Sequence, residues 1–180
     1  MSTDLLQRKL AKVFASFDVD QDGVIDELDI TAMAQIWCDV YEVAPNSAEW
    51  RQIHGRAHAM WREMRGSTGA DGIKRVTLSE WVEWGTKPDF PDFVENAAIP
   101  FSLAVFDVAD KDRDGKITMP EMMAAQSKSG MSPEETQSAF DTLDTDRDGY
   151  VTGEQYAQAA REFYLSDDPN APGNLIAGDL

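Results

Sequence analysis

The chain has 180 residues, of which 42% are apolar, and its formal net charge is −17 because 33 acidic residues outnumber 16 basic ones. This length allows one compact domain or two small ones sharing an interface, with enough apolar residues for a sizeable core. The acidic excess repels phosphate backbones and anionic lipids, so it argues against nucleic acid or membrane as the main partner and favours cations.

The N-terminal part of the chain alternates between helical patterns and loops. Apolar residues recur with a helical period on both sides of residues 18–29 and again over residues 50–64. A Pro-Asn-Ser segment interrupts the pattern, so Asn46 or Ser47 is the expected N-cap of the third helix. The pattern therefore predicts helix, loop and helix, followed by a further helix.

The segment Lys87–Asp92 contains two prolines, which disfavour a continuous helix, and it is the expected joint between two halves. The second half predicts a helix that ends at Ala109 and is kinked by Pro100, followed by three more helices. We therefore expect the following divisions: an N-terminal unit over 1–87, a C-terminal unit over 92–165, and a tail over 166–180 that docks on the body.

The string Asp-x-Asp-x-Asp-Gly occurs three times, starting at Asp18, Asp110 and Asp144. Calcium takes six to eight oxygen ligands, and a twelve-residue loop can supply them from positions 1, 3, 5, 7, 9 and 12. Position 7 contributes its backbone carbonyl, position 6 turns sharply and favours glycine, and position 8 is apolar. Each repeat, with a helix on either side, therefore predicts a metal-binding loop.

The loop Asp110–Glu121 meets every requirement of this pattern. Gly115 provides the turn, and Ile117 is the apolar residue expected to pair with a neighbouring loop. The expected ligands are Asp110, Asp112, Asp114, the carbonyl of Lys116, Thr118 and the bidentate Glu121.

The loop Asp18–Asp29 matches except at its last position, where aspartate replaces glutamate. Aspartate is one methylene shorter, which lowers the coordination number and favours Mg²⁺, an ion that demands a smaller octahedron. The expected ligands are Asp18, Asp20, Asp22, the carbonyl of Val24, Asp26 and Asp29.

The loop Asp144–Gln155 ends in glutamine, which offers one neutral oxygen in place of a carboxylate. We expect calcium to bind here more weakly than at Asp110–Glu121, because the charged bidentate ligand is missing. The neighbouring aspartates still repel one another without a cation. The expected ligands are Asp144, Asp146, Asp148, the carbonyl of Tyr150, Thr152 and Gln155.

A fourth, degenerate loop is expected within residues 66–80. Thr77 and Glu80 are spaced as a capping box that starts a helix. An alignment that ends the loop at Glu80 leaves positions 1 and 5 without ligands, so the metal is lost while the loop is kept for pairing. The expected apolar pairs between loops are Ile25 with Val76 and Ile117 with Val151.

These loops and their order resemble the EF-hand superfamily, and in particular the sarcoplasmic calcium-binding proteins and the bacterial calerythrin group. The resemblance implies an all-α fold. The resemblance further implies that four EF-hands form two pairs packed into a compact globule, each pair with a short two-stranded β ladder between its loops. It also implies calcium buffering or transport rather than activation of a target. Asp29 and Gln155 depart from the family's ligand pattern.

We therefore expect an intracellular, cytoplasmic calcium buffer or transport protein, monomeric, with up to three Ca²⁺ ions and Mg²⁺ competing mainly at Asp18–Asp29. The single Cys38 allows no disulfide within the chain, and no signal peptide or membrane span is recognisable. A calcium sensor that exposes a hydrophobic groove to a target protein is the alternative. A cofactor carrier resembling the photoproteins is a third possibility.

No nucleophile elbow, phosphate loop or dinucleotide-binding motif occurs, so we expect no enzymatic activity and no catalytic residues. His54 and His58 lie four residues apart on one helix, but no third ligand is suggested, and a solvated or capping role is expected for them. Most tryptophans and methionines fall at core spacing.

Overall fold

Each three-residue strand lies between two helices in the computed structural model, which describes residues 4–67, 75–129 and 131–176. The helices are α1 (Asp4–Phe17), α2 (Glu27–Val40), α3 (Ala48–Ser67), α4 (Leu78–Trp84), α5 (Phe90–Phe93), α6 (Ile99–Ala109), α7 (Met119–Ser129), α8 (Pro133–Leu143) and α9 (Gly153–Leu165). The strands are β1 (Val24–Asp26), β2 (Arg75–Thr77), β3 (Lys116–Thr118) and β4 (Tyr150–Thr152).

Side-chain caps fix where several helices begin. The Ser47 hydroxyl accepts the amide of the third residue of α3 at 3.0 Å, which selects Ser47 as the N-cap. Thr77 and Glu80 form the predicted capping box at α4, and Ser132 and Glu135 form the same arrangement at α8. The predicted helix starts at Ser47 and Thr77 are confirmed, because each cap satisfies backbone donors that the first helical turn leaves free.

Two antiparallel ladders join the loops in pairs. Strand β1 pairs with β2 so that Ile25 faces Val76, and β3 pairs with β4 so that Ile117 faces Val151. All four side chains are buried, and Val76 is fully inaccessible. The predicted apolar pairs are confirmed, and they place each loop beside a second loop from the same half of the chain.

The helical segment before the third of the four loops, Asp110–Glu121, contains a local expansion. Residues Val94–Ala98 form a π turn between α5 and α6, and the amide of Ile99 donates to the carbonyl of Val94. Pro100 is the second residue of α6 and directly follows this π turn. The helix therefore departs from α-helical hydrogen bonding immediately before the proline, while the kink expected at Pro100 stays a prediction.

The main hydrophobic core contains side chains from both halves of the chain. Leu10, Phe14 and Trp81 from the N-terminal half belong to the same buried cluster as Phe101 and Phe163 from the C-terminal half. The Trp81 indole is fully buried, and its Nε1 donates to the carbonyl of Leu10 at 2.9 Å. The predicted fold class is confirmed: four helix–loop–helix units form two pairs that pack into one compact globule.

The segment that follows α9, described up to residue 176, packs back on the body of the molecule. The ammonium of the fully buried Lys9 donates to the carbonyls of Glu162 and Ser166, at 3.3 and 2.8 Å, where α9 ends. The amide of Gly173 donates to the Glu162 carboxylate at 2.9 Å. Ile176 packs against the main core and against a second buried cluster that includes Phe106 and Val151. Within the described residues, no helix combines the length and apolarity that crossing a bilayer requires.

Candidate metal centres

Each acidic loop bends through two residues with left-handed backbone. The first is the predicted glycine at position 6, which no other residue type adopts as readily. These glycines are Gly23, Gly115 and Gly149, with φ of 90°, 84° and 88°. The second lies at position 4, and its positive φ could not be predicted from the sequence because glutamine and arginine do not favour this conformation. These residues are Gln21, Arg113 and Arg147, with φ of 60°, 60° and 59°.

The first aspartate of each loop organises the turn from inside. In the third loop, Asp110 Oδ1 accepts the amide of Asp114 at 3.2 Å, and Oδ2 accepts the amide of Gly115 at 2.8 Å. Asp110 is only 6% exposed, and Asp18 and Asp144 are buried to a similar degree with equivalent bonds. The burial of an acidic group at this position fits a loop built around a cation.

Carboxylate oxygens converge in all three loops. In each group, one ligand atom from every member lies within 4.8 Å of the others: Asp18, Asp20 and Asp22; Asp110, Asp112 and Glu121; Asp144, Asp146 and Asp148. Partial desolvation, together with the charges of Asp114 and Glu121, raises the pKa of Asp112. A hard divalent cation would relieve this repulsion, so the donor sets fit Ca²⁺.

Glu121 is positioned by hydrogen bonds at both ends of its loop. Its Oε1 accepts the amide of Lys111 at 2.9 Å, and its Oε2 accepts the amide and the hydroxyl of Thr118 at 2.8 and 2.7 Å. Although partial desolvation acts in the opposite direction, these bonds lower the pKa of Glu121. The carboxylate is therefore held ionised beside Asp110 and Asp112.

Asp29 reproduces this arrangement with a shorter side chain. Its Oδ1 accepts the amide of Val19 at 3.0 Å, and its Oδ2 accepts the amide of Asp26 at 2.9 Å. Asp29 also completes a capping box with Asp26 at the start of α2. The convergent group in this loop consists of Asp18, Asp20 and Asp22, whereas in the third loop the corresponding group includes Glu121.

Gln155 forms the corresponding bridge with an amide. Its Oε1 accepts the amide of Thr152 at 2.7 Å, which fixes the orientation of the side chain. Its Nε2 donates to Asp146 Oδ1 at 3.0 Å and to the Thr145 hydroxyl at 3.3 Å. The amide therefore directs a donor, rather than an oxygen, at one of the aspartates of its loop. Glu154 points elsewhere and pairs with Arg161 at 3.5 Å.

The degenerate loop is described only at its C-terminal end. Glu80 accepts the amide and the hydroxyl of Thr77 at 2.8 and 2.7 Å, and these bonds lower the pKa of Glu80. Val76 contributes the ladder contact to Ile25. The positions predicted to lack ligands fall within residues 68–74 and lie outside the described residues.

Basic side chains within the loops contact other parts of the molecule, which the ligand pattern does not reveal. Lys111 Nζ donates to the carbonyl of Tyr41 at 2.7 Å, and Arg113 pairs with Glu49 at 2.6 Å. Lys116 Nζ lies 3.7 Å from Asp148 Oδ2 in the neighbouring loop. These residues occupy positions 2, 4 and 7 of the third loop, where side chains are free to point outward.

The expectation of a solvated or capping role is wrong for His54. Its side chain is buried and stacks on Trp50, with ring centroids 3.9 Å apart. Burial, and to a smaller extent the nearby His58, lowers the pKa of His54. His58 instead lies 3.8 Å from the Glu27 carboxylate.

Comparison with known families identifies the loops. Residues 103–161 match the EF-hand domain pair family, and residues 10–33 match the EF hand family. No curated protein sequence matches the chain significantly.

Solved structures match the whole fold. A Streptomyces coelicolor calcium-binding protein is 30% identical over 91% of this chain and 99% of its own, with a TM-score of 0.75. A sarcoplasmic calcium-binding protein from amphioxus is 18% identical over the full length of both chains, with a TM-score of 0.78. A coelenterazine-binding protein from Renilla muelleri is 19% identical over 99% of this chain and 100% of its own, with a TM-score of 0.68.

The last two similarities show the fold, whereas the Streptomyces relative shows the family, because its identity extends over almost its whole length. The three acidic clusters support Ca²⁺ binding at up to three sites. The chain belongs to the EF-hand family of calcium-binding proteins.

Proposed function

We propose that this EF-hand protein is a calcium buffer or transport protein with no enzymatic activity. The observation that carries the proposal is the shared core: the apolar faces of the two EF-hand pairs pack against each other. A calcium sensor presents such a face to a target. In this chain that face is already occupied, which favours ion binding as the function.

The apolar surface of the C-terminal pair illustrates this occupation. A cavity of about 100 Å³ beside Phe106, Leu143 and Val151 is also lined by Trp37 and Ile176, which come from other parts of the chain. Residues of α2 and of the C-terminal segment therefore take the place that a target helix would need. We propose that this internal contact persists when calcium binds.

We propose that each acidic loop holds one ion through the oxygens expected from its sequence. The strongest site is Asp110–Glu121, because Glu121 converges with Asp110 and Asp112. The site at Asp18–Asp29 is open to Mg²⁺ because the shorter Asp29 reduces the number of oxygens within reach. The site at Asp144–Gln155 is the weakest, since the amide nitrogen of Gln155 faces Asp146.

We also propose that residues 1–87 and 92–165 are the two EF-hand pairs and that 166–180 is a docking tail. Contacts of the segment Pro172–Leu175 with α8 and α9 support the tail assignment. A monomer in the cytoplasm is consistent with the single Cys38, which is buried.

Calcium calorimetry in physiological salt, with and without millimolar Mg²⁺, tests the function and the ranking of the loops. We expect binding in the micromolar range or tighter. Glu121→Gln should weaken the tightest site by more than about tenfold, because a charged ligand becomes neutral. Absence of binding heat would reject the buffer. An unchanged tightest site in Glu121→Gln would reject the ranking.

A calcium sensor is the second candidate. It is favoured by the Streptomyces coelicolor relative, whose structure concerns prokaryotic calcium-mediated regulation. A sensor would gain binding of a hydrophobic dye when calcium is added and would capture a partner in calcium only. A buffer that becomes more compact would lose dye binding.

A small-molecule carrier is the third candidate, favoured by a second cavity of about 360 Å³ between the halves. This volume lies at the lower end of the range for ligand pockets. Phe17, Trp37, Tyr156 and Tyr164 are among its lining residues. The coelenterazine-binding protein of similar fold makes coelenterazine a reasonable probe. Quenching of tryptophan fluorescence at a one-to-one ratio would support this function.

A further inference from the structure

Lys116 belongs to one calcium loop through its backbone and contacts the other through its side chain. Its carbonyl is the expected position-7 ligand of the loop Asp110–Glu121. Its Nζ lies 3.7 Å from Asp148 Oδ2 and 4.5 Å from the ring centroid of Tyr150. Both contacted residues are expected to bind an ion in the loop Asp144–Gln155, through the Asp148 carboxylate and the Tyr150 carbonyl.

The β ladder explains why the ammonium reaches this place. In the register of β3 with β4, Lys116 lies opposite Thr152, so Tyr150 is its diagonal neighbour on the same face. A long side chain at this position can extend over the ring of Tyr150 towards the loop that precedes β4. Because the contact follows from the pairing of Ile117 with Val151, it is a property of the assembled pair of loops.

A cation at this position acts against an ion in the last loop in two ways. It already balances part of the charge of Asp148, and it repels a divalent cation that the same carboxylate would bind. The side chains of Lys116 and Asp148 are 39% and 42% exposed, so water and salt screen the interaction. The effect on affinity should therefore be moderate and should depend on ionic strength.

Gln155 acts in the same direction from within the loop. Its Nε2 donates to Asp146 Oδ1 at 3.0 Å, while the amide of Thr152 holds its oxygen at 2.7 Å. Two of the three aspartates of this loop, Asp146 and Asp148, therefore face side-chain donors of the protein. In the third loop, the carboxylate of Glu121 occupies the position of that amide.

We propose that Lys116 is an affinity-determining residue for the loop Asp144–Gln155, to which it supplies an internal cation that competes with the bound metal. This inference rests on the proposed assignment of that loop as a calcium site. Because the competition is one of charge, it weakens Ca²⁺ and Mg²⁺ alike and sets the affinity of the site rather than its selectivity. The loop Asp110–Glu121 should be unaffected, since it uses only the backbone carbonyl of Lys116.

The test is a calcium titration followed by NMR, with the amide signals of Gly115 and Gly149 as separate reporters of the two loops. These amides donate to Asp110 and Asp144 at 2.8 and 2.9 Å. Lys116→Met should tighten the last site by about two- to fivefold, in Ca²⁺ and in Mg²⁺, and the gain should shrink at high salt. Lys116→Arg should leave the affinity within twofold because it keeps the charge.

Arg75→Met provides the matched control. Arg75 begins β2 and pairs with Asp26 in the ladder of the N-terminal pair, so its replacement changes the net charge equally but far from Asp148 in the chain. If Arg75→Met and Lys116→Met raise the calcium affinity of the last site by similar factors, the effect comes from net charge alone and the proposal is wrong.

Two further outcomes are distinguishable. If the Gly149 signal responds to calcium but Lys116→Met leaves its midpoint unchanged, the proposal for Lys116 is wrong while the calcium site stands. If the Gly149 signal responds neither in the natural sequence nor in Gln155→Glu, which restores the missing carboxylate, the assignment of the loop fails and the proposal fails with it. A titration of the Gly115 signal checks in each case that the protein is folded and binds calcium.

Discussion

The ammonium of Lys111 donates to the backbone carbonyl of Tyr41 at 2.7 Å and lies 5.4 Å from the centroid of its ring. Lys111 is the second residue of the third loop, and Tyr41 is the C-cap of α2, the helix that begins in the first loop. Arg113 makes a second connection, to Glu49 near the start of α3, at 2.6 Å. The third loop is thereby attached to the segment between α2 and α3.

Removing both connections should uncouple that segment from calcium. In the variant with Lys111→Met and Arg113→Gln, we expect the amides of residues 41–47 to lose the extra protection from hydrogen exchange that calcium gives them. Both contacts are exposed, so the loss in global stability should be small. The control is Arg147→Gln, at the same position of the last loop. Unchanged calcium-dependent protection in the double variant would contradict the coupling.

Asp29→Glu should shift the first loop from Mg²⁺ towards Ca²⁺. The added methylene lets the carboxylate offer two oxygens, which suits the larger ion. Isothermal titration with Ca²⁺ in the presence and absence of Mg²⁺ measures the change, and we expect Mg²⁺ to compete less well in the variant. Asp29 also completes a capping box with Asp26 at the start of α2. Circular dichroism of the variant checks that the helix content is unchanged. If the affinities for Ca²⁺ and Mg²⁺ rise by the same factor, the selectivity of the first loop between the two ions does not depend on Asp29.

His54 should make stability depend on pH near neutrality. Burial lowers its pKa in the folded state, so the unfolded chain binds a proton first as the pH falls. Stability should therefore decrease from the ordinary histidine pKa of about 6.5 down to the lowered folded value. His54→Phe, which keeps a ring against Trp50, should flatten the pH dependence of urea unfolding in this window. An equally steep profile in the variant would assign the dependence to other groups.

Gly173→Ala should release the C-terminal segment. A Cβ at this position would overlap the carbonyl oxygen of Ala159 and lie 2.7 Å from Glu162 Cβ. We expect the free energy of unfolding to fall by about 1–3 kcal/mol and proteolysis after Leu165 to become faster. Gly55→Ala is the matched control, since its Cβ would meet no atom within 4 Å and alanine favours α3 by about 1 kcal/mol. Equal protease resistance in both variants would contradict a docked segment.

The sequence alone determined the repeating unit of this protein. The spacing of Asp110, Gly115, Ile117 and Glu121 specifies a calcium loop because each position has a single geometric task. The ladder partners of Ile25 and Ile117 followed from the same numbering, and the cap at Thr77 followed from local hydrogen-bonding chemistry. Local patterns succeed here because the interactions they encode span only a few residues.

Only the tertiary structure decided what surrounds each loop. The contact of Lys111 with Tyr41 joins residues that are far apart in the chain, and no periodicity specifies this contact or the burial of His54. The direction of the Gln155 amide depends on hydrogen bonds to Thr152 and Asp146, and the contact of Lys116 with Asp148 requires two paired loops. Ligand identity is therefore a local property, whereas the electrostatic environment that tunes affinity arises when the halves and loops pack together.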